Sequence, residues 1–265
     1  MTAERARVGH VADLASPAPV VLVGHGSRDP RSAATMAGLA AAVGRGWPDP
    51  VTAAYLDFDQ PSVPDALRGQ LSRAPGAIPI VLPVLLTSAH HGRVDLPRVL
   101  RATGVPVRLA PVLGPAGPAE PPDRLLVAAL RRRLSDADTG FDGVALLAAG
   151  TSYPAARSTV EGVAAALAAE LDVPCSVGYA SASPPGPVAA VAAVRAMGAR
   201  RIAAAAYFLA PGRLYEAAAT EARRAGVVAV AQPLGVGPEL VDLITDRLRV
   251  VAEADRWPVW PMRLG

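Results

Sequence analysis

Apolar positions along the chain fall into short runs, separated by stretches in which Ala, Leu and Arg recur at helical spacing. The β-branched run at 20–23 ends in Gly24-His25-Gly26-Ser27-Arg28. Asp29 and Pro30 then supply an N-cap and a proline at the first helical position, predicting a helix to about residue 43. A strand is predicted at 51–56, a proline-started helix from 61 to about 71, and a strand within 78–86, whose unbroken apolar run suits burial on both faces. Beyond the Thr-Ser-Ala-His-His-Gly segment at 87–92, the pattern predicts a helix near 94–102, a strand at 105–109 and a helix near 123–134. Strand and helix in steady alternation imply a parallel α/β sheet with right-handed crossovers.

The order then starts again. Strands are predicted at 144–148, 173–179, 202–209 and 227–231. Helices follow each of them, to about 171, at 185–197, at 214–225 and at 238–251. His25 and Tyr55 are 30 residues apart, as are Ala149 and Tyr179, an offset of 124 between the halves. Leu85-Leu86 matches Phe208-Leu209 at 123, so one residue has been lost between them. The chain reads as an internal duplication of two tandem flavodoxin-like parallel-sheet units, at 18–137 and 142–252, with the boundary in the polar, turn-rich segment 135–143.

Composition narrows the class. Of 265 residues, 51% are apolar and 18% charged, which excludes a disordered polyelectrolyte. All 26 basic residues are Arg, and with 27 Pro this looks like GC-rich coding bias rather than selection for a partner. A net charge of +3 and only 4% aromatics argue against a nucleic-acid partner. The longest apolar run, 202–211, is about half of the ~20 residues a membrane helix needs. No secretory leader is legible, so a cytoplasmic protein without a membrane partner is expected. The single Cys175 excludes an internal disulfide and a multi-cysteine metal site, and reads as a buried small hydrophobe.

Histidine is distributed unevenly: it stands at 10, 25, 90 and 91 and nowhere after. His10 is expected to be inert. His25 and the His90-His91 pair follow predicted strands, where parallel sheets bind their ligands. The glycines on either side of His25 would let an imidazole approach a ligand; a phosphate cradle and a structural histidine remain the other readings. Adjacent loop histidines diverge, so one of His90 and His91 is expected to face a given site. Asp95 lies where it could pair with His91 and fix its tautomer. Two imidazoles suit a borderline divalent ion such as Fe²⁺, Co²⁺, Ni²⁺ or Zn²⁺. They are too few for a closed structural site, so the metal would be exchangeable.

These segments resemble a known family. Val-Leu-Val-Gly-His25-Gly-Ser-Arg28 and Pro83-Val-Leu-Leu-Thr-Ser-Ala-His-His91-Gly-Arg-Val-Asp95-Leu-Pro97 are similar to the paired signatures of sirohydrochlorin chelatases. That family reads His-Gly-Ser-Arg, then Pro-x-Phe-Leu-x-x-Gly-x-His-x-x-x-Asp-Ile-Pro. Tyr55-Leu-Asp57 and Pro61-Ser62 resemble its Phe-Leu-Glu and Pro-Ser/Thr segment. Ala89 replaces the Gly before the second histidine and Leu85 replaces the Phe, so a slightly reshaped loop is expected. In the second half Ala149 and Leu214 stand where the histidines would be, as in the long, fused form in which one half is catalytic.

The resemblance implies insertion of Fe²⁺ or Co²⁺ into sirohydrochlorin, toward sirohaem or a cobalamin precursor, with release of two protons and no organic cofactor. It places metal holding and proton acceptance on His25 and His91, with Asp57 or Asp95 as the supporting acid. Ser27, Arg28, Arg93 and Arg213 are the candidates for anchoring the substrate carboxylates, Arg by bidentate hydrogen bonds. A monomer is expected, since a fused double unit can form the cleft alone. A metal or tetrapyrrole carrier without turnover is the alternative, and a degenerate structural protein a third reading.

Overall fold

The four residues after Pro19 bury completely, and their strand lies inside the first sheet, with a parallel neighbour on each side. The computed structural model describes residues 18–87, 94–138, 140–181, 183–254 and 257–260. In chain order the first half runs β1 (Val20–Gly24), α1 (Pro30–Gly44), β2 (Val51–Tyr55), α2 (Val63–Arg73), β3 (Ile80–Pro83), α3 (Leu96–Thr103), β4 (Val107–Leu109) and α4 (Arg124–Ala137). The second runs β5 (Gly143–Ala148), α5 (Pro154–Leu171), β6 (Cys175–Tyr179), α6 (Pro187–Ala196), β7 (Ile202–Tyr207), α7 (Arg213–Arg224), β8 (Ala229–Val230), α8 (Pro238–Glu253) and β9 (Val259–Trp260).

Helix starts follow local chemistry. Asp29 caps α1 by accepting from the Arg31 N–H at 3.0 Å, and Pro30 takes the first turn, where a missing N–H costs nothing. Ser62 caps α2, so that helix begins at Val63 and not at the Pro61 expected from the sequence. Asp123 does the same for α4, its carboxylate accepting from Leu125 N–H at 2.9 Å.

The sheets have orders β2-β1-β3-β4-β9 and β6-β5-β7-β8, and all pairs but the last in the first sheet are parallel. The duplication extends to register: Val20 pairs with Val51, and Val144, 124 residues on, pairs with Cys175. The third strand of each sheet keeps its place with one residue fewer, Val20 facing Ile80 and Val144 facing Ala203.

Alternation along the strands sorts the core into layers. Val20 and Leu22 face inward, on the side where α1 and α8 pack, while Val21 and Val23 face outward onto α2 and α3. The inner faces of both sheets and helices α1, α4, α5 and α8 form one continuous apolar cluster. Polar links reinforce this seam: Arg132 Nε meets Glu239 at 2.8 Å, and Arg133 donates to the Leu234 carbonyl at 2.9 Å. Near the C-terminal end, residues 259–260 add an antiparallel strand to the first sheet. Val107 pairs with Trp260, the Trp257 indole donates to the Leu109 carbonyl at 3.1 Å, and Arg101 lies 5.0 Å over the Trp260 ring. Among the described residues, no helix is long and apolar enough to cross a membrane.

Candidate functional site

A cleft of about 1130 Å³ opens at the carboxyl ends of the strands of both sheets. Its first wall is residues 24–30 after β1, Phe58 after β2 and Val84–Thr87 after β3; its second is Ala148–Thr151 after β5, Tyr179, and Tyr207–Glu216 after β7. Two sheets thus supply one site, which is where open parallel sheets bind ligands.

The loop carrying His25 is bolted to the loop after β2. Asp57 N–H donates to the His25 carbonyl at 2.9 Å, and Leu56 N–H to that of Gly24 at 3.1 Å. Gly26 takes φ +93°, and a Cβ there would fall onto the Asp57 carbonyl oxygen. Asp59 completes the brace by accepting from the Ser27 N–H at 2.8 Å. Ser27 Oγ accepts from Asp29 N–H at 3.1 Å, which settles the end of the loop before Asp29 caps the helix. His25 is half-buried, with Nδ1 turned away from solvent.

An aromatic residue ties the loop together. Phe58 stands edge-on to His25, with centroids 6.1 Å apart and planes at 83°, and the Arg28 guanidinium lies 5.5 Å over the Phe58 ring. Opposite, Arg31 pairs with Asp29 at 2.7 Å and with Glu216 of α7 at 2.9 Å, joining the two walls at the rim. That double partnership raises the Arg31 pKa, the Asp29 hydrogen bond foremost, and Arg31 in turn holds the Asp29 carboxyl below its usual range.

The loop after β3 is held from the other half. Tyr207, 3% exposed, donates its hydroxyl to the Leu86 carbonyl at 2.7 Å, and burial pushes its pKa well above the ordinary tyrosine value. Leu113 N–H bonds the Leu85 carbonyl at 3.0 Å, and Gly114 leaves space for the Leu86 carbonyl that a Cβ would take.

Of the sequence-predicted site residues, the structure brings His25, Ser27, Arg28 and Arg213 to this cleft, with Arg28 and Arg213 exposed. His90, His91 and Arg93 lie outside the described residues, as does His10. Asp57 and Asp95 are not among the residues lining the cleft. The Asp57 carboxylate accepts from Phe58 N–H at 2.9 Å, and Asp95 precedes α3 with Arg98 4.0 Å away. Ala149 and Leu214 line the second wall, where the repeat would put histidines. The Cys175 thiol is desolvated and pushed up to about 12, which fits a packing role. No group of three or more His, Cys, Asp or Glu side chains suited to a metal occurs among the described residues.

Sequence reasoning missed Phe58, Asp59, Tyr207 and Glu216. A signal existed for the first two: at the 124-residue offset their counterparts are Ala182 and Ser183, so both side chains belong only to the half with histidine. Tyr207 and Glu216 act across the seam, and nothing local marks them.

The model of the CbiX family matches residues 19–137 and again 143–251. A sirohydrochlorin cobaltochelatase of Methanothermobacter thermautotrophicus is 33% identical over 81 residues, 31% of this chain and 56% of that relative, so the match spans little more than half of its length. Among solved structures, SirB from Bacillus subtilis with Fe³⁺ superposes at TM-score 0.75 and 20% identity, covering 88% of this chain and 95% of that one. SirB from the subspecies spizizenii in complex with cobalt gives 0.71 and 20%, covering 89% and 95%. At these identities the two structures show a common fold.

Proposed function

Since the chain belongs to the CbiX family of sirohydrochlorin chelatases, we propose that it inserts a divalent metal, Fe²⁺ or Co²⁺, into sirohydrochlorin as a soluble, cytoplasmic, monomeric enzyme. The observation that carries this reading is the cleft with His25 on one wall and Arg28 and Arg213 on opposite walls. At about 1130 Å³ it exceeds the ~300–1,000 Å³ usual for small ligands, as a bulky planar macrocycle requires.

Insertion replaces two pyrrole N–H protons by one divalent ion, so a site must deliver the ion and remove protons near neutral pH. Imidazole, with a pKa of about 6.5, does both. His25 and His91 hold the incoming ion and take up the protons as it passes to the macrocycle. Asp95 orients His91 and Asp57 supports the charge near His25. Ser27, Arg28, Arg93 and Arg213 anchor the substrate carboxylates through charge-assisted hydrogen bonds. The unit at 18–137 carries this chemistry and the unit at 142–252 supplies the facing wall. No organic cofactor takes part. The sirohaem and cobalamin routes use the same chemistry, because imidazole and carboxylate bind both ions.

The test mixes the purified chain with sirohydrochlorin and Fe²⁺ or Co²⁺ under anaerobic conditions and follows the macrocycle absorbance. Multiple turnovers above the metal-alone rate are expected, and His25→Ala should lose about 10²-fold or more of that excess. A single stoichiometric uptake would instead favour a metal or tetrapyrrole carrier, and wild-type rates in both His25→Ala and His91→Ala would overturn the site.

A further inference from the structure

Phe58 occupies a costly position. Its backbone has φ +62°, a left-handed conformation that bulky side chains avoid, and the residue is 53% exposed on the cleft wall. A strained backbone and an exposed apolar ring are both unfavourable, and both persist here because the loop is over-determined. The N–H of Phe58 is held by Asp57, and Asp59 is tied to Ser27.

What the strain secures is visible in the ring's neighbours. One aromatic side chain touches two candidate functional groups at once, its face under Arg28 at 5.5 Å and its edge against His25 at 6.1 Å. The face of an aromatic ring attracts a guanidinium within about 6 Å, so Phe58 limits where Arg28 can point. The internal duplication supplies a control. At the 124-residue offset, His25, Arg28 and Phe58 become Ala149, Ser152 and Ala182, so the three side chains are lost together. The backbone pattern stays: Ser181 N–H bonds the Ala149 carbonyl at 3.1 Å, and Gly150 takes φ +94°. That hydrogen bond and that glycine turn therefore form without an aromatic ring.

We propose that Phe58 is a positioning residue of the cleft, pinning Arg28 over its face and abutting His25 with its edge, so that a carboxylate anchor and a metal-handling imidazole are held as one unit. This rests on the chelatase reading above. Phe58 makes the substrate's carboxylate register with the imidazole before the metal arrives, so its effect falls on binding of the metal-free macrocycle.

The experiment titrates sirohydrochlorin, without metal, into the full chain and reads absorbance and fluorescence. Phe58→Asn removes the ring and suits the left-handed backbone; Phe58→Leu keeps the bulk without the π face. Both should weaken binding about 5- to 10-fold while melting at or near the wild-type temperature, and Phe58→Trp should bind within about twofold of wild type. Arg28→Ala should weaken binding by a similar factor, and the Phe58→Leu/Arg28→Ala double variant little further, since the two act as one unit. In ligand-free protein, the His25 ring-proton resonances should shift in Phe58→Leu and stay in Arg28→Ala. Losses that multiply in the double variant, or wild-type affinity in Phe58→Leu, would overturn the proposal alone. A wild-type chain that takes up no sirohydrochlorin would overturn the chelatase reading and this role with it.

Discussion

Gly26 and Gly150 sit at matching points of the two loops, at φ +93° and +94°, each with the carbonyl of Asp57 or Ser181 where a Cβ would go. Alanine at either is expected to cost about 1–3 kcal/mol from the backbone conformation, with the clash adding to it, measured as a drop in denaturant midpoint. Tyr207→Phe leaves the half-buried Leu86 carbonyl without its 2.7 Å hydroxyl and should cost about 1 kcal/mol. The same phenol predicts alkaline weakening. Its folded pKa lies above the ordinary 10.0, so the unfolded chain releases the proton first and stability falls as pH rises through 10. The slope approaches about 1.4 kcal/mol per pH unit for this one group, and a pH series of urea melts on wild type and Tyr207→Phe should show it flatten. His25 is legible in the sequence because a histidine between glycines after a β-branched run is a local pattern. Asp59 is not, because its bond to Ser27 joins residues 32 apart and needs the folded sheet to exist.

Among the elements, those with strong local chemistry were readable and those defined by partners were not. Asp29-Pro30 fixes the start of α1 in sequence and structure alike. The predicted strand at 78–86 narrows to Ile80–Pro83, because the chain beyond Pro83 leaves the sheet to line the cleft. Strand β9 is two residues long and lies among prolines and tryptophans, a pattern with no strand period, and only the free edge of β4 makes it a strand. Removing the chain from Trp257 onward exposes that edge and uncovers Arg101 and Leu109. The truncated protein is expected to melt lower and to associate at micromolar concentration, seen by size-exclusion chromatography, since unpaired edges template aggregation. Trp257→Phe removes the indole hydrogen bond and part of the ring's packing on the core, and should cost about 1 kcal/mol or more.

At the scale of the molecule, the halves are copies in register but not in independence. The shared cluster of α1, α4, α5 and α8 means that a fragment of residues 18–137 would present Leu126, Leu130 and Leu134 to water. That fragment is expected to elute as a dimer or larger species and not as a monomer. The Arg31–Glu216 link is exposed at both ends, so Glu216→Gln should melt at or near the wild-type temperature in a thermal scan. The duplication was readable by subtraction, whereas the seam was not, because the lining of a shared core looks like any amphipathic helix.

The closing strand has a consequence in time. A ribosome makes the first sheet long before it makes the strand that completes it: Leu109 waits 148 residues for Trp257. At roughly 5–20 residues per second that is about 7–30 s with β4 unguarded. Rapid synthesis or a bound chaperone would shorten or cover that window, and slow codons late in the message would lengthen it. The yield of soluble protein should therefore respond to the speed of translating the second half, even though every catalytic histidine proposed here has already left the ribosome.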